Sequence, residues 1–421
     1  MKVLLSAFGF SPYRGSECAV GWNIARELAR RYDVTVITGD VKDSGYEAEY
    51  ANWIKDNGKI ERLEVIYIKP TRSIRFIERL HDIPGLWALY YVAYAMWQKL
   101  AFIKAKELHE ERHFDLVHHL TMIGYREPGY MWKLGIPFFW GPVGGSVNEP
   151  VSFASVYSLS GRIKVLLRCA INGFQKRVLP RPRMAAKVAK KIWAVTSADM
   201  ETITQIWGAK CEQMLETAST PVSDVRVRTW DGASPLRIVW SGTHTYGKAM
   251  PILIKALVGV KEKVENVAIQ VDVMGKGEET EKWKRLAAEL GVGGFFNWIG
   301  YVPRSEALKI MNEAHVLTFT SVKEGTPHVV MEALSLGLPV ICHDACGMGM
   351  AVNDGSGWKI PLKSPDISVD GFACTIAAIL RNHRLIEEKS SGALERATAL
   401  TWEEKANCIA KAYEENSNSD I

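Results

Sequence analysis

Short apolar runs closed by turn residues alternate along this chain with stretches whose apolar positions recur every three or four residues. The runs at 3–8, 34–38, 63–68, 116–120, 137–140 and 192–195 have the length of buried strands. Residues 20–31 carry a helical period. Strands alternating with helices predict a parallel sheet covered on both faces, an α/β domain. From 217 to 235 the period lapses into Ser, Thr, Pro and Gly, which predicts a linker. The rhythm then restarts, with strands at 236–241, 267–274, 295–299, 316–320 and 339–342. Helical periods fill 249–260, 279–290, 306–313 and 327–336. A last helix at 401–415 lies beyond the second sheet and is expected to pack back on the first domain. The pattern therefore predicts two Rossmann-like domains, 1–216 and 236–400, facing a central cleft. Open parallel sheets bind ligands beyond the C-terminal ends of their strands, so the loops there are the places to look for chemistry.

Composition narrows the class. The chain has 421 residues, 47% hydrophobic and 24% charged, which excludes a disordered or collagen-like protein. Seven cysteines scattered from Cys18 to Cys408 form no disulfide framework and fit a reducing compartment. The opening MKVLLSAFGF lacks the long apolar stretch and small-residue cleavage site of a secretion signal, so it reads as a first strand of a cytoplasmic protein. No segment reaches the roughly 20 apolar residues that would span a bilayer.

Charge is unevenly placed. Between Glu149 and Asp199 there is no acid, whereas ten bases occur, from Arg162 to Lys191. A solvated basic helix face and a surface that meets anionic lipid headgroups both fit this block. Nucleic acid is not expected, because no helix-turn-helix, zinc module or aromatic-basic RNA motif accompanies it. The aromatic segment at 83–100 is apolar nearly all round at helical spacing, which suits a buried helix or one dipping into a membrane interface.

The densest chemistry lies in EGTPHVVMEALSLGLPV, residues 324–340. Thr326 suits a helix N-cap, Pro327 the first helical position and Gly337 the position past the end. The first-turn amides at His328 and Val329 then sit at the positive end of a helix dipole and suit a phosphate. Glu324 stands just before this end, and Glu332 lies five residues inside, about 7.5 Å further along the axis. Two carboxylates bracketing a phosphate site at that spacing suit a nucleotide sugar.

At these residues the chain resembles the retaining glycosyltransferases of family 4, which have the GT-B fold, in a bacterial branch that builds surface polysaccharides. The Glu–seven residues–Glu spacing with the following ALSLGLPVI carries the resemblance. So do RGSECAVGW (14–22), DLVHHLT (115–121), WGPVGG (140–145), VAIQVDVMGKG (267–277) and NWIGYVP (297–303). The resemblance implies metal-independent transfer of a sugar, with retention, from a nucleotide-diphosphate donor to a glycan or lipid-linked hydroxyl acceptor. No cofactor or metal is implied; the donor is a co-substrate.

Site roles follow from the same resemblance. Glu324 would hold donor-sugar hydroxyls, the backbone from Gly325 through Thr326 and Pro327 to His328 would line the sugar and diphosphate with its N–H groups (Pro327 has none), and Glu332 would bond the ribose. Lys248 matches the family's phosphate-binding lysine, in the loop that begins at Gly242. Tyr301 and Val302 would lie along the base, and Gly15 and Ser16 would close on the diphosphate. The family has an Arg directly after the loop Gly, where this chain has Thr243, so half of the cation clamp is missing. Lys276, Arg14 or a basic residue from the other domain would substitute, or else the enzyme would be weak.

His118 and His119 end a strand and must point to opposite faces. The resemblance favours His119 as the histidine that positions the reacting groups, with His118 in the core. CHDAC (342–346) contains ligand types, but no second cluster at zinc spacing accompanies it. Two other functions remain open at this level. Glu324 and Glu332 could serve a glycoside hydrolase, although Glu332 sits behind the phosphate site. Thr243 fits a non-catalytic nucleotide-binding or partner protein of the same fold.

Overall fold

The computed structural model describes residues 1–39, 45–83, 85–156, 159–223 and 225–417. The chain forms two compact units. The first comprises Met1–Ser146, Phe174–Thr217 and the chain from Trp402 onward; the second comprises Val147–Gly173 and Ala218–Thr401.

The first unit is built on β1 (Lys2–Ala7), β2 (Asp33–Gly39), β3 (Leu63–Ile68), β4 (Leu116–Thr121), β5 (Phe138–Val143), β6 (Ala189–Ala194) and β7 (Glu212–Gln213). All pair in parallel, in the order β3-β2-β1-β4-β5-β6-β7. β1, β4 and β5 are buried along almost their whole length, which requires the near-continuous apolar composition of strands covered on both faces. One face packs on helix Leu89–Arg112 through Ala93, Tyr94, Trp97 and Ala101. On the other, helix Glu17–Leu28 packs against helix Trp402–Ser417, whose Tyr413 reaches His118 and Phe139.

The second unit adds β8 (Leu236–Ser241), β9 (Ile269–Met274), β10 (Phe296–Gly300), β11 (Val316–Phe319), β12 (Val340–His343) and β13 (Gly357–Ile360). Its order is β10-β9-β8-β11-β12-β13, again all parallel. Helices Met250–Lys263 and Pro365–Arg381 pack together on one face. Pro365 occupies the first turn of the latter, and the Ser364 hydroxyl caps it by accepting from the Ile367 amide.

The observed units differ from the expected spans of 1–216 and 236–400. Residues 147–173 belong with the second unit, and Phe153 and Val165 sit fully buried in its core. The stretch expected as a linker, 217–235, is anchored to the second unit, apart from residue 224, which lies outside the described residues. Its Arg228 guanidinium donates to the carbonyls of Asn312, Ala314 and Leu336 at 2.5, 2.8 and 2.9 Å, and Trp230 is buried. Polar, turn-rich composition identifies irregular backbone, but side chains on such backbone can still be held fast. Residues 83–100, of which residue 84 is outside the described set, divide between a turn with exposed Ile83, Leu86 and Trp87 and the start of the Leu89–Arg112 helix. No helix among the described residues is long and apolar enough to cross a membrane.

Candidate functional site

Each sheet has one point where neighbouring strands send their following loops in opposite directions. In the second sheet it lies between β8 and β11. A crevice opens at the C-terminal ends of the strands at such a switch point. The loop after β8 carries Gly242, Thr243 and Lys248, and the loop after β11 carries Ser321 and Glu324.

These loops meet through charge. Lys248 Nζ donates to Glu324 Oε1, with the two side chains 21% and 18% exposed. Ser321 Oγ donates to the same carboxylate oxygen at 2.5 Å. The ammonium also lies 5.1 Å from the Phe319 ring centre. Beneath Ser321, His343 Nδ1–H donates to its carbonyl at 3.0 Å, while the Ser368 hydroxyl donates to Nε2 at 3.0 Å. Burial lowers the His343 pKa to about 4, so the ring is neutral and locked in one tautomer. The histidine of CHDAC thus supports the serine that holds Glu324.

Glu324 is followed by the helix that carries the expected anion site. It runs His328–Ser335, with Pro327 at the N-cap in extended conformation and no side-chain cap bond. The expected Thr326 cap and Pro327 first turn are each displaced by one position. Proline fixes its own φ and leaves its carbonyl to accept from Val330 N–H at 3.1 Å, so the ring turns the chain into the helix without a hydroxyl. Thr326 is buried and Gly325 partly so. A close backbone approach fixes this loop: Gly347 N–H donates to Gly325 O at 2.9 Å, and a Cβ on Gly347 would stand 2.2 Å from that oxygen.

Glu332 is reached by a residue the sequence reading did not single out. Arg304, first in the helix Arg304–Glu313, donates from Nε to Glu332 Oε1 at 2.6 Å. Burial and the nearby Arg304 charge lower the His328 pKa to about 4, so His328 presents a neutral ring at the helix start. Pro303 followed by an acidic first turn marks the start of that helix, but nothing in the spacing indicates that its first side chain reaches Glu332.

The GKG loop after β9 completes the site. His244 N–H donates to Lys276 O at 3.1 Å, and Gly275 N–H to Gly300 O at 2.7 Å. Gly275 has φ +111°, and a Cβ there would stand 1.9 Å from Gly242 O. Lys276, exposed, lies 5.9 Å from the Tyr301 ring centre. Thr243 and Tyr301 are exposed and Val302 partly buried. His244 is packed among Trp240, Trp283 and Trp298, and burial lowers its pKa.

In the first unit the switch point lies between β1 and β4. Gly15 and Ser16 are exposed in the loop after β1, where Ser16 adopts φ +55° at the start of helix Glu17–Leu28. Glu17 Oε2 accepts from Ile123 N–H, just past β4, at 3.0 Å. Burial, reinforced by the Glu216 charge, pushes the Glu17 carboxyl up to about 8. Arg14 is bound within this unit by Glu49, at 2.6 Å, and lies over the Tyr46 ring.

His118 and His119 point to opposite faces, and both are interior. His118 Nε2–H donates to Gly141 O at 2.7 Å and Nδ1 accepts from Tyr413 at 2.6 Å. His119 is 1% exposed, beneath helix Leu89–Arg112 beside Gln98 and Gly129, and its pKa is lowered to about 3. His119, expected to help position the reacting groups, thus lies with His118 on a central strand that is covered on both faces.

Comparison with known proteins finds a family whose description matches the part of the chain that carries the loops of the second unit. Residues 233–392 match the family described as "Glycosyl transferases group 1". Over 173 residues the chain is 30% identical to a D-inositol 3-phosphate glycosyltransferase of Kribbella flavida, covering 39% of this chain and 40% of that protein. Over 153 residues it is 26% identical to the amylovoran biosynthesis glycosyltransferase AmsK of Erwinia amylovora, covering 35% of each. The chain thus aligns with less than half the length of these relatives. The lipopolysaccharide outer core galactosyltransferase WaaB has the same fold, GT-B, with a TM-score of 0.63 over 99% of this chain and all of that one, at 15% identity.

Proposed function

We propose that this protein, whose residues 233–392 match the group 1 glycosyl transferases, moves a sugar from a nucleotide-diphosphate donor to a hydroxyl acceptor, with retention and without metal. The observation that carries the reading is the Lys248–Glu324 pair beside the start of helix His328–Ser335, at the switch point of the second sheet. The helix-end amides and the Lys248 ammonium would bind the diphosphate, and Glu324 would then release Lys248 to hold sugar hydroxyls instead. Lys276, beside Thr243, would supply the second cation.

The reaction breaks the bond from C1 to the β-phosphate oxygen and forms one from C1 to the acceptor oxygen on the same face. The acceptor proton passes to the departing phosphate oxygen, and a nucleoside diphosphate leaves. Stabilising that charge is the main catalytic demand, and fixed amides and ammoniums meet it at no reorganisation cost. Glu332, held by Arg304, would orient the ribose, with Tyr301 and Val302 along the base. A relative named for amylovoran biosynthesis supports a role in polysaccharide assembly, and the acceptor would be a glycan or lipid-linked hydroxyl at the inner face of a membrane.

The test is a panel of UDP-, GDP- and dTDP-sugars read by thermal shift, followed by product analysis with the stabilising donor. An α-configured product from an α-donor, formed equally in chelator, is expected. Nucleotide binding without any turnover would favour the non-catalytic reading, and sugar release from an oligosaccharide without a donor would favour a hydrolase.

A further inference from the structure

Lys248 sits on strained backbone. It closes a short turn, Tyr246–Lys248, and is followed by Ala249, whose φ of +47° lies in the left-handed region that a residue with a Cβ enters only at a cost. Such a conformation persists only where the surroundings impose it. On the side of β11 they do so through the backbone: Thr320 Oγ1 donates to Lys248 O at 2.8 Å, and Val322 N–H to Gly247 O at 3.1 Å. On the other flank the turn is held by a side chain, that of Tyr246.

The Tyr246 hydroxyl accepts from Arg168 Nη1 at 3.0 Å, and the same nitrogen donates to Glu149 Oε1 at 3.1 Å. The Arg168 side chain is 58% exposed and that of Glu149 only 4%, and Glu149 Oε2 is buried with no hydrogen-bond partner among the described residues. A buried carboxylate needs its counter-charge, so Glu149 pins a guanidinium that would otherwise sample many rotamers in water. The helix that carries Arg168, Leu159–Val178, is itself set in register on this stretch. Its Asn172 Nδ2 donates to Asn148 Oδ1 at 2.7 Å, and Val165, two turns earlier on the same face, is fully buried in the core of the second unit. Between them in sequence, Phe153 packs edge-on against His343 at 6.0 Å, the ring that supports Ser321. Residues 147–173 therefore reach the loop after β8 directly, and the loop after β11 through His343.

We propose that Arg168, fixed by Glu149, is a positioning residue that holds the 246–249 turn through Tyr246 and so keeps the Lys248 ammonium in place for the diphosphate. The inference rests on the transfer reading and adds to it a stretch of chain outside residues 233–392. Arg168 acts through the turn, and its own charge is committed to Glu149.

The test measures binding of UDP, GDP and dTDP to the full chain by calorimetry, together with donor and acceptor KM. Tyr246→Phe keeps the ring and removes only the hydroxyl, so its melting curve should match the parent. It should weaken nucleoside diphosphate binding and raise donor KM about fivefold, the worth of one ordinary hydrogen bond, with acceptor KM unchanged. Arg168→Gln should weaken binding at least as much; because it also leaves the Glu149 carboxylate without its cation, Tyr246→Phe is the cleaner variant. The deciding readout is a double-mutant cycle: in a Lys248→Ala background, Tyr246→Phe should have no further effect on binding. A fivefold loss that persists in that background overturns the proposal, since the turn would then act independently of Lys248. Loss of binding in Arg168→Gln with none in Tyr246→Phe also overturns it, and assigns Arg168 to the diphosphate itself. A parent that binds one of the nucleotides, with both variants binding it equally well, removes this proposal alone. A parent that binds none of the three overturns the transfer reading and this inference with it.

Discussion

Lys248 and Glu324, 76 positions apart in sequence, share a salt bridge that ties the loop after β8 to the loop after β11. Each is the other's partner, and Ser321 holds the carboxylate from a third direction. A diphosphate would compete with Glu324 for the ammonium. Lys248→Ala is therefore expected to weaken nucleoside diphosphate binding and to lower kcat/KM by about 100- to 1,000-fold. Glu324→Gln is expected to lose turnover while binding the diphosphate at least as tightly as the parent, because it frees the lysine. Calorimetry with the nucleoside diphosphate separates the two; equal loss of binding in both variants would refute the exchange.

Thr243 leaves the clamp one cation short, and Lys276 is the neighbouring cation, through the His244–Lys276 backbone bond. Lys276→Ala should raise the donor KM about tenfold, with a smaller effect on kcat, since a charge-assisted contact contributes about 1.5–3 kcal/mol. Adding Thr243→Arg to that variant should recover most of the loss. Steady-state kinetics with varied donor reads both effects, and a Lys276→Ala enzyme with unchanged KM would exclude this role.

Gly347 lets one backbone pass against another. A methyl group would stand 2.2 Å from Gly325 O and 2.7 Å from Thr326 Oγ1, and neither neighbour is the far end of a flexible chain. Gly347→Ala should therefore displace the 324–328 loop and cost roughly 2–3 kcal/mol of stability. Differential scanning calorimetry and donor affinity should fall together. Gly294→Ala, where a Cβ would meet nothing within 4 Å, serves as the control and should leave both unchanged.

Glu17 gives stability a definite pH dependence. Its folded pKa, about 8, stands above the ordinary 4.5, so between those values the folded protein holds a proton that the unfolded chain releases. Stability should fall as pH rises from about 4.5 to 8, and the loss is complete above the folded value. Glu17→Gln keeps an acceptor for Ile123 N–H and removes the titration. Its melting temperature should match the parent near pH 4.5 and exceed it by at least about 3 °C at pH 9. Parallel curves for the two proteins across that range would disprove the assignment.

The strands were the most legible part of the sequence, because a strand covered on both faces must be apolar almost throughout. Leu63–Ile68 and Leu236–Ser241 begin and end where the pattern predicts. β13 was not foreseen: GWKI is too short and too mixed to stand out. Lys248, Glu324 and the following helix could be read as one site because their loops follow strands, but the ion pair joining them could not. It depends on β8 and β11 being neighbours, which local pattern does not encode. Arg304 escaped notice for the same reason. The burial of His119 could not be read either, because alternation says that two neighbouring side chains diverge, not that either one meets water. Phe153 and Val165 have ordinary core spacing; periodicity tells which side chains are buried, and stays silent on which core receives them.

The placement of residues 147–173 has a practical result. The polypeptide passes from one unit to the other at 146/147, 173/174, 217/218 and 401/402, so no single cut separates them. A fragment beginning at 218 would lack Phe153 and Val165, and one ending at 217 would lack Tyr413 beneath its sheet. Grafting the second unit onto another first unit therefore means transplanting two stretches of chain together, and gene fusions drawn at the apparent joint should yield insoluble pieces.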